Sequence, residues 1–253
     1  MRTIALLLCL AFAPLVSTVV AEDTDLACFE LRTYHANEGK LDALHARFRD
    51  HTVALFEKHG MTNLIYWTPV ENEGNQLVYL LGYPSRAARD ASWKAFRNDP
   101  DWQAAYQEST AGGKLIARVE SLFLEATDYS PVTSFPAGET SPLYEMRRYT
   151  TNEGKLDNLD ARFRDHTVAL FEKHGITNLF YFHLSEGQEG SGNTLLYFIS
   201  APSEEARNAS FQAFAADPAW KAAREASEKN GRLLVKKGVQ STFLKTTDYS
   251  PVK

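Results

Sequence analysis

Residues 37–64 read NEGKLDALHARFRDHTVALFEKHGMTNL, and residues 152–179 read NEGKLDNLDARFRDHTVALFEKHGITNL. The two stretches agree at 25 of 28 positions at a constant offset of 115, and differ at Ala43/Asn158, His45/Asp160 and Met61/Ile176. A repeat this long marks a duplicated domain rather than a short solenoid unit. It divides the 253-residue chain into two units, each long enough to bury a core of its own. The expected boundaries are 27–132 and 143–253, joined by a linker at 133–142 rich in Pro, Gly, Ser and Thr. The hexapeptide Thr-Asp-Tyr-Ser-Pro-Val closes each unit, at 127–132 and 247–252.

Working outward from the repeat, a strand is expected at 28–34 and again at 143–149. A helix over 41–59 follows. Its residues Leu41, Leu44, Phe48, Thr52, Leu55 and His59 share one face, and Gly60 is placed to end it in the left-handed conformation. Strands at 62–68 and 77–83 flank a Glu/Asn/Gly-rich loop and read as a hairpin. Ser85 caps a further helix, which stops near Asn98 and restarts at Asp99-Pro100. A last strand lies at 119–124. The order β-α-β-β-α-β predicts an α+β fold of two tandem ferredoxin-like domains. Each has an antiparallel sheet with helices on one face. The bare faces must be buried, and two of them in one chain can pack into a pseudo-two-fold α+β barrel.

The ends and the composition bound the function. Arg2, an apolar run at 4–13 and small residues before Glu22 predict a signal peptide, 1–21, cleaved after Ala21. The mature protein is then periplasmic or secreted, with no membrane attachment. Cys9 leaves with the leader, so Cys28 has no internal disulfide partner. A net charge of −5 without a dense basic run argues against nucleic acid as a partner. Seven histidines, none at a recognised ligand spacing, predict no metal and no cofactor.

Candidate site residues come from the opening strands. Side chains alternate between the faces, so Phe29 and Leu31 are expected to face the helices, and Glu30, Arg32 and Tyr34 the barrel. In the second copy Glu145, Arg147 and Tyr149 take the same places. Buried charges need partners or water. They make either a polar pocket, in which Arg binds an anionic or carbonyl group, or a structural Glu–Arg pair that fixes how the sheets dock. His51 and His166 are candidates for proton transfer at the barrel rim or are plain helix-surface residues. Trp67, Phe182, Tyr79 and Tyr197, on the hairpin strands, are candidates to line an apolar cavity.

The same residues carry a resemblance. Glu30/Arg32/Tyr34, Gly39-Lys40-Leu41, His59-Gly60, Tyr83-Pro84-Ser85 with Arg89, and Asp99-Pro100-Asp101-Trp102 together resemble the NIPSNAP family, once per half. The second copy departs at Ala201-Pro202-Ser203, where the tyrosine is lost. The resemblance implies a dimeric α+β barrel, a fold shared with small monooxygenases, haem enzymes and binding proteins. It implies no catalytic residues.

Two functions compete. One is an exported protein that binds a small organic molecule or a protein partner through or around the barrel, with self-association open to it. The other is a cofactor-independent monooxygenase- or isomerase-like enzyme, in which Arg32/Arg147 bind an oxyanion and Glu30/Glu145 or His51/His166 move a proton. The uneven divergence of the copies adds an expectation. Over 85–109 against 203–227 only 13 of 25 positions match, far fewer than in the first-helix block. Either that block makes equivalent contacts in both copies, at an interface or pocket rim, or the halves drifted unevenly.

Overall fold

Nine elements in each half repeat in the same order. The computed structural model describes residues 26–131 and 142–252, so the expected leader and the linker up to residue 141 lie outside the described residues. The first half contains β1 (Cys28–Ala36), α1 (Leu41–Arg47), a π-helical turn (Phe48–Thr52), α2 (Val53–Lys58), β2 (Thr62–Pro69), β3 (Gln76–Tyr83), α3 (Arg86–Asn98), α4 (Pro100–Thr110) and β4 (Ile116–Ala126). The second contains β5 (Leu143–Thr151), α5 (Leu156–Arg162), a π-helical turn (Phe163–Thr167), α6 (Val168–Lys173), β6 (Thr177–Leu184), β7 (Thr194–Ala201), α7 (Glu204–Ala216), α8 (Pro218–Ser227) and β8 (Leu234–Thr246).

The expected single helix over 41–59 is therefore interrupted. Its middle turn widens to a π-turn, and the Thr52 hydroxyl donates to the Arg47 carbonyl at 3.1 Å. Such a turn adds a residue to the helical repeat and re-aims the side chains beside it. The expected caps are present: Ser85 accepts from Ala88 N–H, and Asp99 accepts from Asp101 N–H. Gly60 and Gly175 end their helices at φ 74° and 76°.

Each half forms an antiparallel sheet, β2-β3-β1-β4 and β6-β7-β5-β8, and the two join edge to edge into a closed eight-stranded barrel. Trp67 on β2 lies opposite Thr246 on β8, and Leu124 on β4 lies opposite Leu184 on β6. Closure pairs the strand edges that a lone half would leave open.

Side-chain alternation then sorts the strands. Phe29, Leu31, Ile65, Trp67, Val78 and Leu80 meet Tyr144, Phe182, Leu196 and Phe198 in one apolar cluster inside the barrel. Trp67 stacks on Phe198, with centroids 5.0 Å apart and planes 7° apart. Phe29 meets Phe182 at 5.0 Å. The opposite strand faces pack under the helices in two further cores, one per half.

This reverses the expected phase of the first strands. Phe29 and Leu31 point into the barrel, while Glu30, Arg32 and Tyr34 lie beneath the helices, as do Glu145, Arg147 and Tyr149. The physical reason is the supply of partners. Between two sheets only strand side chains are available, and apolar groups fill that space without desolvation cost. On the outer face, α3 and α7 bring arginines of their own to meet the carboxylates.

The closing hexapeptides cross over. Asp128 of the first accepts two hydrogen bonds from Arg164, at 2.6 and 2.8 Å, and Ser130 Oγ accepts from Tyr181 N–H. In the mirror contact Asp248 accepts two from Arg49, at 2.7 and 2.8 Å, and Ser250 Oγ accepts from Tyr66 N–H. The near-identical block thus receives the other half's terminus in both copies, which is an interface of the kind its retention suggested.

Candidate functional site

β1 places Glu30 under α3, fully buried, and the helix returns a cation to it. Arg89 donates from Nε at 2.8 Å and from a terminal nitrogen at 2.7 Å, a bidentate pair. Arg32 donates at 2.5 Å, Ser121 of β4 at 2.6 Å and the Trp93 indole at 3.1 Å. The Tyr83 hydroxyl completes the set at 3.5 Å and itself accepts from Trp93 at 2.9 Å. Burial pushes the Glu30 carboxyl up, but the Arg89 hydrogen bonds, the Arg32 charge and the Ser121 hydroxyl outweigh it and hold it at about 2. The carboxylate is an ionised structural hub, committed on both oxygens.

Arg32 is held in turn. Its Nε donates to the Tyr79 hydroxyl at 3.0 Å, and its guanidinium lies 4.4 Å from the Trp93 ring centroid. The second half repeats this kernel. Glu145 accepts from Arg147, from Arg207 at 2.6 and 2.7 Å, and from Ser241. Arg147 donates to the Tyr197 and Tyr149 hydroxyls at 2.8 and 3.1 Å. Burial raises the Glu145 carboxyl as well, and Arg207 and Arg147 again bring the balance below the ordinary value.

Beside the first kernel lies a cavity of about 530 Å³ between the sheet and the helices. Phe48, Phe56, Trp93, Phe96 and Trp102 form its apolar walls, while the exposed Gln103, Tyr106 and Gln107 belong to its outer side. Its lining holds four arginines, Arg32, Arg47, Arg89 and Arg97, and no carboxylate. Arg47, 3% exposed, stands at the start of the π-turn, its guanidinium 5.2 Å from the Trp102 ring centroid. Its terminal nitrogen donates to Ser109 Oγ at 3.3 Å, and its Nε has no hydrogen-bond partner among the described residues. Burial lowers its pKa, against the pull of Tyr34 and Tyr106.

The matching cavity in the second half is about 250 Å³. There Arg162 takes the place of Arg47, Phe211 of Trp93, Arg224 of Tyr106 and Glu228 of Thr110. Glu228 reaches Arg162 at 3.5 Å and Arg224 at 3.5 Å, so a carboxylate of the chain sits among the arginines.

The expected site residues separate into three groups. Glu30, Arg32, Tyr34 and Tyr79 come together in the first half, and Glu145, Arg147, Tyr149 and Tyr197 in the second. All eight lie on the helix side rather than in the barrel. Trp67 and Phe182 do lie inside the barrel, in its apolar core, apart from that group. His51 and His166 are exposed, and neither lines either sheet–helix cavity. Sequence reasoning missed Arg47, Arg89, Ser121 and Trp102 as site residues. A signal was present: Arg89/Arg207 and Asp99/Asp217 are the charged pairs retained across the otherwise diverged helices. Asp99 has a structural use, accepting from His59 at 2.6 Å and pairing with Lys58 at 2.8 Å. Among the described residues no group of three or more His, Cys, Asp or Glu is arranged to hold a metal.

Comparison with known proteins follows the same division. The NIPSNAP family model matches residues 29–131 and 144–251. A NIPSNAP domain protein from Burkholderia xenovorans shares 23% identity, with 41% of this chain and 98% of that one covered, at a TM-score of 0.37. Over both halves together, a candidate monooxygenase from Fusobacterium nucleatum aligns at 9% identity and a TM-score of 0.56, covering 90% of this chain and 95% of that one. A candidate monooxygenase from Lactobacillus acidophilus aligns at 9% identity and 0.52, covering 90% and 100%. At such identities the likeness speaks for the shared dimeric α+β barrel fold alone. No curated protein matches the chain.

Proposed function

The chain belongs to the NIPSNAP family in both of its halves, and from that premise we propose that it binds a small organic molecule in the sheet–helix cavity of the first half. The observation that carries this reading is the cavity itself. At about 530 Å³, with aromatic walls and a few convergent polar groups, it has the size and lining of small-molecule sites. The barrel interior, packed with aromatic and aliphatic side chains, serves as the joint between the halves.

The alternative is cofactor-independent oxygenase or isomerase chemistry, which has the fold likeness to two candidate monooxygenases behind it. The groups expected to move a proton do not suit that role. Glu30 is ionised and fully hydrogen-bonded, and His51 stands outside the cavity lining. Binding is therefore the better-supported reading. Export is part of the proposal, carried by the leader-like first 21 residues. N-terminal sequencing of the mature protein tests it, with Glu22 as the expected first residue.

Calorimetric titration with a flat aromatic compound, as 2-naphthoate and as its neutral counterpart 2-naphthamide, tests the binding reading. Saturable binding of at least one is expected. Absence of heat with both, together with no small molecule retained in native mass spectra of the purified protein, would contradict it.

A further inference from the structure

The two sheet–helix cavities are built on one plan and differ in charge. In the second, Glu228 on the end of α8 lies between Arg162 and Arg224. In the first, Thr110 stands at the Glu228 position, and its hydroxyl donates to the Tyr106 carbonyl of its own helix at 2.7 Å. No carboxylate lines that cavity, and Arg47 forms no ion pair among the described residues. Arg47 is nevertheless buried, and a guanidinium cannot shed its proton to relieve the cost.

Resting on the binding reading above, we propose that the first cavity is a site for an organic anion, a flat aromatic carboxylate in chemical class, with Arg47 as its anchoring cation. Glu228 is the internal counterpart of that ligand: in the second half the chain supplies the carboxylate itself. The aromatic portion lies among Trp93, Phe96 and Trp102, where its ring faces have partners. The carboxylate takes hydrogen bonds from Arg47. Arg32 and Arg89 are already engaged by Glu30, so they add field rather than free donors. The π-turn contributes by fixing Arg47, because the Arg47 carbonyl is tied to Thr52.

The smaller volume of the second cavity agrees with this division. Phe211 for Trp93 removes bulk, yet the space is less than half as large, about 250 against 530 Å³. Arg224 and Glu228 line the second cavity, where Tyr106 and Thr110 stand in the first half.

Calorimetry on the full chain tests the assignment with 2-naphthoate and 2-naphthamide as probes. One 2-naphthoate per chain is expected, with the amide about 10- to 100-fold weaker, the usual margin for a charge-assisted hydrogen bond. Arg47→Gln should weaken the carboxylate by a similar factor and leave the amide nearly unchanged. Thr110→Glu, which gives the first half the residue of the second, should abolish carboxylate binding. It is the deciding variant if Arg47→Gln does not fold. Glu228→Thr should raise the stoichiometry towards two. Equal affinity for acid and amide, an unaffected Thr110→Glu variant, or two carboxylates bound to the unmodified chain would overturn the anion assignment while leaving the binding reading standing. Binding of neither probe overturns the anion assignment, and, with no small molecule retained in native mass spectra either, the binding reading as well.

Discussion

Glu30 and Glu145 occupy the same place in their halves, but their neighbours differ in an instructive way. Both accept from a strand arginine, a helix arginine and a strand serine. The outer members of the first network, Tyr83 and Trp93, become Ala201 and Phe211, which can supply no such donors. The two positions differ together between the halves, as expected when each satisfies the other's polar group. The retained kernel is what docks helices onto the sheet. The variable outer ring of Tyr83 and Trp93 distinguishes the two networks, while Arg224 and Glu228, which line the second cavity, leave it smaller and self-neutralised.

Breaking the kernel should have the largest effect. Glu30→Gln leaves the half-buried Arg32 and Arg89 side by side without their anion, at a cost of about 3 kcal/mol. Glu145→Gln should cost a similar amount, because the kernel is the same. Urea unfolding of the two variants measures this, and a large difference between them would mean that the ring, not the kernel, carries the stability.

The pH dependence follows from the same groups. The Glu30 carboxyl lies at about 2 in the folded protein against an ordinary 4.5. A depressed folded value means that its stabilisation is complete above about pH 4.5 and is lost as the pH falls towards 2. The contribution at stake is about 3 kcal/mol by linkage. Glu145 acts in the same direction, as do Asp99 and Asp217, held low by hydrogen bonds from Lys58 and His59 and from Lys173 and His174. Stability should thus fall steeply below about pH 5. Glu30→Gln should flatten that acid limb.

The fold was largely legible in the chain. The 28-residue repeat set the domain number, the Asp-Pro and Ser caps set the helix starts, and the need to cover two bare sheet faces implied the barrel. The site was legible in membership but not in place. Glu30, Arg32, Tyr34 and their counterparts do act together, yet alternation in β1 states only that they share a face. Which face is decided by Arg89 and Arg207, more than 50 residues downstream of their carboxylates. Nothing local to the strand carries that information. Arg47 was hidden for another reason. It stands three residues after Leu44 on the buried face of α1, but a charged side chain there reads as solvent-facing, and only the structure shows it buried.

Smaller effects are expected at the crossing termini. Tyr249 meets His45 at 2.8 Å, whereas Tyr129 donates to the buried Asp160 at 2.7 Å. Asp160 also accepts from His183 at 3.0 Å. Tyr129→Phe removes a bond to a charge and should cost about 2 kcal/mol, whereas Tyr249→Phe should cost about 1 kcal/mol. Equal costs by thermal unfolding would mean that the two closures are energetically alike despite their chemistry.

The smallest effect is expected inside the barrel. The Trp67 indole N–H is buried with no hydrogen-bond partner among the described residues, and the second half has Phe182 at the equivalent position. Trp67→Phe removes an unsatisfied donor while opening a small void. The two nearly cancel, so the net change should stay within about 1 kcal/mol.

A crystal structure of the protein with bound 2-naphthoate distinguishes the two cavities. One ligand per chain is expected, its carboxylate on Arg47 and its rings against Trp93 and Trp102, with the Glu228 cavity of the second half unchanged. Ligand in the second cavity as readily as in the first, or within the barrel between Trp67 and Phe182, would contradict that expectation.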